Sequence, residues 1–328
     1  MIRQIIRGGR DEESTGAQPR APLPWLDPPE PGPWSVERAY QYCEEFARAH
    51  HESFPVASHF VPAELRPHLI ALYAFARAGD DFADEPQYEG RRDEALDAWS
   101  DELNRCGHGE ATHPVFVALQ DTIEKRSLPF PPLEDLLAAF RMDMRVTRYA
   151  TFNTLRGYTA RSAEPVGRLL LALFGYDDPA LVRFADEIST ALQLTNFWQD
   201  VAADASRDHI YIPAEDLHFF GVTEAELRAL KPTRAIRELL RYEVARTRAI
   251  FERGRPLLGK LNNDLKFELG LIWLVGMAIL DKIEDQDFDV FTRRPSIGTR
   301  DKAKILASAA KRWALGTFDL AALRRLWP

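Results

Sequence analysis

A chain of 328 residues, 45% apolar and 28% charged, has the balance of an ordinary globular protein and is long enough to bury a sizeable core. Its formal net charge of −8 argues against nucleic acid as the main partner, because phosphate binding needs a basic surface. The two isolated cysteines, Cys43 and Cys106, make neither a disulfide framework nor a zinc site and fit a reducing compartment.

Residues 1–33 read as a flexible leader. Seven prolines fall between Pro19 and Pro33, and no apolar period offsets the entropy of ordering them. Met1 to Arg10 is too polar for a secretory signal. From residue 34 the pattern turns helical, and the prediction is a single all-α domain over 34–328. Ser35 is the expected N-cap of a helix reaching about His50, and His50-His51 reads as its polar end. After a break at 51–55, a second helix is expected from about Pro62 or Glu64 to Gly79. Further helices are predicted over roughly 90–105, 113–127, 132–149, 152–174 and 178–204. A loop at about 205–221 precedes others near 222–230, 233–258, 262–287 and 299–325, with Pro or Gly in the separators. No sustained alternating pattern suggests strands. The longest apolar run, Leu269 to Leu280, is shorter than the ~20 residues that span a bilayer. A cytoplasmic location is expected, with a peripheral membrane contact left open.

Two acidic segments stand out. The first is Tyr73-Ala74-Phe75-Ala76-Arg77-Ala78-Gly79-Asp80-Asp81-Phe82-Ala83-Asp84. Asp80 and Asp84 lie on one helix face with Arg77 a turn behind. Two carboxylates about 4 Å apart repel by roughly 4 kcal/mol at an effective dielectric near 20. The second segment places Asn196, Asp200 and Asp204 at i, i+4 and i+8, a stripe of oxygen donors. Either segment alone also reads as a solvated helix end. Carboxylates near a helix C-terminus oppose the macrodipole, however, and two such placements on apolar helices point to a bound cation. Hard Mg²⁺ takes oxygen ligands and is usually held by one or two carboxylates plus substrate phosphates. Asp80, Asp84, Asn196, Asp200 and Asp204 are therefore the expected metal ligands. Asp81, rotated about 100° from Asp80, reads equally as ligand, supporting group or exposed residue. Arg77 would hold diphosphate oxygens or orient the carboxylates. Asp143, Arg145 and Arg148 read as a structural charge network.

These two segments resemble the aspartate-rich motifs of the squalene/phytoene synthase family. The resemblance extends from about Ser35 to Lys302 and includes Ser53-Phe54, Arg148-Tyr149-Ala150-Thr151-Phe152, Tyr158 followed by Pro165-Val166-Gly167, and Ile210-Tyr211-Ile212-Pro213. It implies an all-α isoprenoid-synthase domain with a central cavity, Mg²⁺ and isoprenyl diphosphate substrates. It also implies that Tyr73 and Tyr158 line the cavity, where aromatic faces stabilise a carbocation. Ser53 and Phe54 would sit near the diphosphate, with Arg293 as a diphosphate contact.

Within the family, Asn196-Phe197-Trp198-Gln199-Asp200, the segment 161–170 and the segment 52–58 are most similar to the hopanoid-pathway branch that converts presqualene diphosphate to hydroxysqualene. Gln199 stands where the family usually has Arg, and Ala203 where it usually has Glu. Asp208-His209 replaces a common Gly-Arg pair, which puts His209 in doubt as a diphosphate contact. The expected reaction is Mg²⁺-dependent ionisation of presqualene diphosphate and capture of the cation by water, with Gln199 shaping the rim that holds that water. The rivals are a squalene, presqualene diphosphate or phytoene synthase, and a non-catalytic isoprenoid-binding subunit. Other enzymes of the squalene pathway are compatible partners.

Overall fold

Ser35 caps the first helix as its position predicts: its Oγ accepts from the Arg38 amide at 3.3 Å, and α1 runs Val36–Ala49. In the computed structural model the described residues are 32–50, 61–298 and the single positions Asp301, Ile305 and Ala307. Residues 1–31 of the leader, Ser53, Phe54 and most of the last predicted helix lie outside them. The chain clusters into two compact units, one made of residues up to Thr147 with Arg156–Asp178, the other of Arg148–Leu155 with the residues from Pro179 onward. The described residues form helices throughout, and their one β contact is an isolated parallel bridge between Arg148 and Ile210.

The first unit is built around α2, Arg66–Asp84, which is buried on every side from Ala71 to Ala83. A helix apolar all round belongs inside a core, and α1, α3 (Arg92–Gly107), α4 (Pro114–Arg126) and α5 (Pro131–Asp143) pack against it. Trp99 of α3 fills the core beside it, edge-on to Phe116 at 4.5 Å and to Phe82 at 5.3 Å between ring centroids. α2 runs five residues past the expected end at Gly79, so its carboxylates stand within its last turns. Gly79 permits close approach to α5, because a Cβ there would meet the Phe140 ring at 2.5 Å.

The stretch predicted as one helix over 152–174 is two, α6 (Phe152–Ser162) and α7 (Glu164–Leu173). Pro165 explains the break at Ala163: a proline lacks the N–H that a helix interior needs and is tolerated in the first turn. The helix predicted to reach 149 stops at Asp143 instead. In the second unit the backbone after it bonds to a distant segment, with Ala214 N donating to Tyr149 O at 2.8 Å.

The second unit centres on α8, Pro179–Gln199, which continues after an irregular residue, Asp200 (φ −106°, ψ 13°), as α9, Val201–Ser206. The loop expected at 205–221 contains a short α10, Ala214–Phe219, and α11 (Glu224–Arg228) follows behind a Thr223/Glu226 capping box. α12 (Arg234–Gly254) and α13 (Asn263–Asp285) pack on α8. Trp198 fixes the pairing with α12 by donating from Nε1 to Thr247 Oγ1 at 2.8 Å in the dry interior. No helix among the described residues is long and apolar enough to cross a membrane.

Candidate functional site

In the first unit the acidic segment is buried: Asp80 and Asp81 expose 4% and 3% of their surface, and Arg77 1%. Arg77 Nη2 lies 2.7 Å from Asp81 Oδ1, one turn along the helix, and 3.8 Å from Glu85. The other Asp81 oxygen lies 3.1 Å from His50 Nε2, while His50 Nδ1 donates to the Phe46 carbonyl at 2.8 Å. Of the three readings open for Asp81, burial removes the exposed one. Asp81 neutralises Arg77 and anchors the end of α1, leaving Asp80 and Asp84 as the pair on the neighbouring face. His50 is therefore part of the acidic segment's surroundings rather than a plain polar helix end. Tyr73, one turn before Arg77, is buried in the same core, and Tyr158 of α6 is buried at 1% exposure. Arg145 pairs with Asp93 at 2.7 Å in this unit.

In the second unit the predicted stripe survives the irregularity at Asp200. The Asp200 amide donates to Asn196 O at 2.9 Å and the Asp204 amide donates to Asp200 O at 2.9 Å, so all three residues keep helical register. Asn196 is buried, and Asp200 and Asp204 are half-buried. Gln199 is buried at 3% exposure and its Nε2 donates to the Pro295 carbonyl, which ties the segment after α13 to the end of α8. That segment brings Arg294 onto Asp200 with two bonds, Nε to Oδ1 at 2.5 Å and Nη2 to Oδ2 at 3.0 Å. Arg293, the residue singled out from sequence, faces Gln286 at 3.5 Å instead.

The loop after the stripe is held by charge. Arg148 lies 2.6 Å from the Asp208 carboxylate and 3.0 Å from Glu224, and Arg228 bonds both acids. These arginines hold the Asp208 carboxyl below the ordinary carboxylate value, Arg148 contributing most. Asp208 adopts φ 60°, in the left-handed region that favours glycine, at the position where the resemblance expects Gly. Beyond it, His209 and Phe197 stack on the two sides of Tyr211, at 4.2 and 3.7 Å between centroids. Of the residues expected to form a charge network, Arg148 bonds Asp208 and Glu224, and Arg145 pairs with Asp93.

Both stripes offer only oxygen donors, carboxylates and one carboxamide, the chemistry that a hard divalent cation selects. Among the described residues no three His, Cys, Asp or Glu side chains form one metal-sized group. Mg²⁺ is commonly held by one or two carboxylates, with water and phosphate oxygens completing its shell. At Asp200 a guanidinium already fills the place of a cation. The donor sets fit the metal.

Solved structures give the class first. The chain is 42% identical to the squalene synthase HpnC from Alicyclobacillus acidocaldarius, with a TM-score of 0.75 over 77% of this chain and 96% of that one. A dehydrosqualene synthase solved with a ligand shares the fold at a TM-score of 0.77 and 23% identity, over 85% of this chain and 98% of that one. The fold is therefore that of the all-α squalene synthases. The chain belongs to the squalene/phytoene synthase family, whose model matches residues 47–301. It is also 32% identical to the phytoene synthase of Arthrospira platensis over 84% of this chain and 93% of that protein. The same identity relates it to the 15-cis-phytoene synthase of Synechocystis sp., over 89% and 92%. The family consists of enzymes of isoprenoid biosynthesis, and its substrates are isoprenyl diphosphates.

Proposed function

We propose that the chain converts presqualene diphosphate and water to hydroxysqualene and diphosphate, with residues 34–328 acting as one isoprenoid-synthase domain around a central cavity. The observation that carries this reading is Gln199, a neutral, buried carboxamide in the second motif where the family pattern leads one to expect Arg. The 42% identity to a protein named squalene synthase HpnC, against 32% to the phytoene synthases, supports the same side of the family.

In this proposal Asp80, Asp84, Asn196, Asp200 and Asp204 hold Mg²⁺. When bound, the ion supplies Lewis-acid stabilisation of the charge on the departing diphosphate. Arg77, through its bond to Asp81, keeps the first stripe oriented, and Arg293 with Ser53 and Phe54 serves the diphosphate end. The apolar faces of Tyr73 and Tyr158 stabilise the cyclopropylcarbinyl cation that remains. Gln199 leaves the rim neutral, so that a water molecule is retained near the cation and captures it. That gives the alcohol in place of the hydrocarbon that hydride capture would give.

The experiment is a product assay. Purified protein with Mg²⁺ is given farnesyl diphosphate or presqualene diphosphate, with and without NADPH, and products are identified by mass. Hydroxysqualene from presqualene diphosphate without NADPH is expected, with turnover lost in Asp80→Asn and Asp200→Asn. An unchanged ratio of alcohol to hydrocarbon in Gln199→Arg removes Gln199 from the mechanism. The identity to phytoene synthases supports a second reading, head-to-head joining of two prenyl diphosphates, which the same assay detects as a product made from the allylic diphosphate alone.

A further inference from the structure

The segment 286–298 is folded as a small, self-bonded hook. Gln286 Nε2 donates to the carbonyls of Asp289 and Arg293 at 3.0 and 2.9 Å. The Asp289 carboxylate accepts from the amides of Phe291 and Thr292 at 3.1 and 3.0 Å and from Thr292 Oγ1 at 2.7 Å. The hook is joined to the second motif at two adjacent points, by Gln199 to the Pro295 carbonyl and by Arg294 to Asp200. The first contact is buried and has no charge. The second is a two-bond ion pair whose arginine is half exposed, at 51% of its side chain. A fixed anchor thus lies beside a releasable one.

Both oxygens of Asp200 are engaged by Arg294. A divalent cation that used Asp200 would need at least one of these oxygens, and a guanidinium cannot share it without close approach of two positive charges. We propose that Arg294 is a stand-in cation for the Asp200 position: it holds the carboxylate in place before metal loading and is displaced by the metal. Gln199 keeps the freed guanidinium within reach, because the bond to Pro295 does not depend on the ion pair. This deepens the metal reading above and rests on it.

The consequence is a signed competition. A binding-competent state that is only partly populated weakens apparent affinity by that fraction, and a half-exposed ion pair is worth up to a factor of about five. In Arg294→Gln, Mn²⁺ alone, followed by electron paramagnetic resonance of the free ion, is therefore expected to bind about threefold to fivefold more tightly than in the wild-type chain. Arg241→Gln, at an exposed arginine 3.8 Å from Asp287 of the same segment, serves as the charge control and is expected to change Mn²⁺ affinity less than twofold. Asp200→Asn separates the two levels of the idea. If Asp200→Asn weakens Mn²⁺ binding while Arg294→Gln leaves it unchanged or weaker, the stand-in role is wrong and the metal site stands. If Asp200→Asn leaves Mn²⁺ binding unchanged, both fall. Because Arg294 is exposed, the variant is expected to keep the wild-type far-UV circular dichroism and melting temperature.

Discussion

Arg77 and Asp81 face each other at 2.7 Å one helical turn apart, with only 2% and 3% of their side chains exposed. Removing one member of a buried pair costs about 3–5 kcal/mol, whereas replacing both with apolar groups is often neutral. Arg77→Met is expected to lower the free energy of unfolding by about 3–5 kcal/mol, and Arg77→Met with Asp81→Leu to recover most of it. Urea denaturation of the single and double variants checks this. If the double variant is as unstable as the single, the pair is not isolated from the rest of the acidic segment.

Gly79 stands immediately before Asp80 with the Phe140 ring against it. The ring is buried and cannot step aside. Gly79→Ala is expected to cost about 1–3 kcal/mol by overpacking. Adding Phe140→Leu should restore stability by opening room at the contact. A thermal melt of both variants reads the result, and an unaltered melt for Gly79→Ala would show that α2 and α5 can separate without loss.

Asp208 combines a left-handed backbone with two arginine partners. Glycine relieves the backbone but loses the pairs, while alanine loses the pairs and keeps the strained φ. Asp208→Ala is therefore expected to melt below Asp208→Gly by about 2–4 °C. A carboxyl held below its ordinary value contributes stability that is present above that value and lost as pH falls through the native one. Both variants should thus lose less stability than the wild-type chain on acidification below about pH 4.

Glu268 on α13 is buried at 4% exposure, and desolvation pushes its carboxyl up to about 8. The folded chain then holds a proton that the unfolded chain has released between the ordinary carboxyl value and about pH 8. Stability from this group is complete at acid pH, falls as pH rises through that window, and levels off above it. Glu243, buried on α12, is shifted upward by desolvation, and its ion pair with Arg246 at 2.6 Å opposes that shift. Glu268→Gln is expected to reduce the slope of unfolding free energy between pH 5 and 8 without abolishing it. Denaturant titrations at pH 5.5 and 8 measure it, and an unchanged slope would show that Glu268 is hydrated.

Helix positions were legible where one local signal decided them, as Ser35 shows, whereas α2, expected to end at Gly79, runs on to Asp84. Pro165 also carried its break openly, in its missing N–H, and the long apolar pattern around it hid the signal. Asp200 had no such marker: its irregular backbone interrupts the helix without glycine or proline and leaves the i, i+4 bonds intact. The oxygen stripes were readable because both are short-range patterns. What was not readable joins residues far apart in the chain. His50 and Asp81 are 31 positions apart, and Arg294 reaches Asp200 across 94. A basic pair such as Arg293-Arg294 gives no periodicity to say which member turns toward the motif. The fold decides that through the Gln199 anchor one residue further on.

The division of the chain into 1–147 with 156–178, and 148–155 with 179–328, has a consequence for its history and handling. No single cut through the gene separates the two units, because a short stretch of each is enclosed by the other in sequence. A crossover at 147 strands residues 156–178, and one at 179 carries 148–155 with the wrong half. During synthesis the first unit also waits for residue 178 before all of its chain has emerged. Fragments made by splitting the chain near its middle are expected to fold only when both are supplied together.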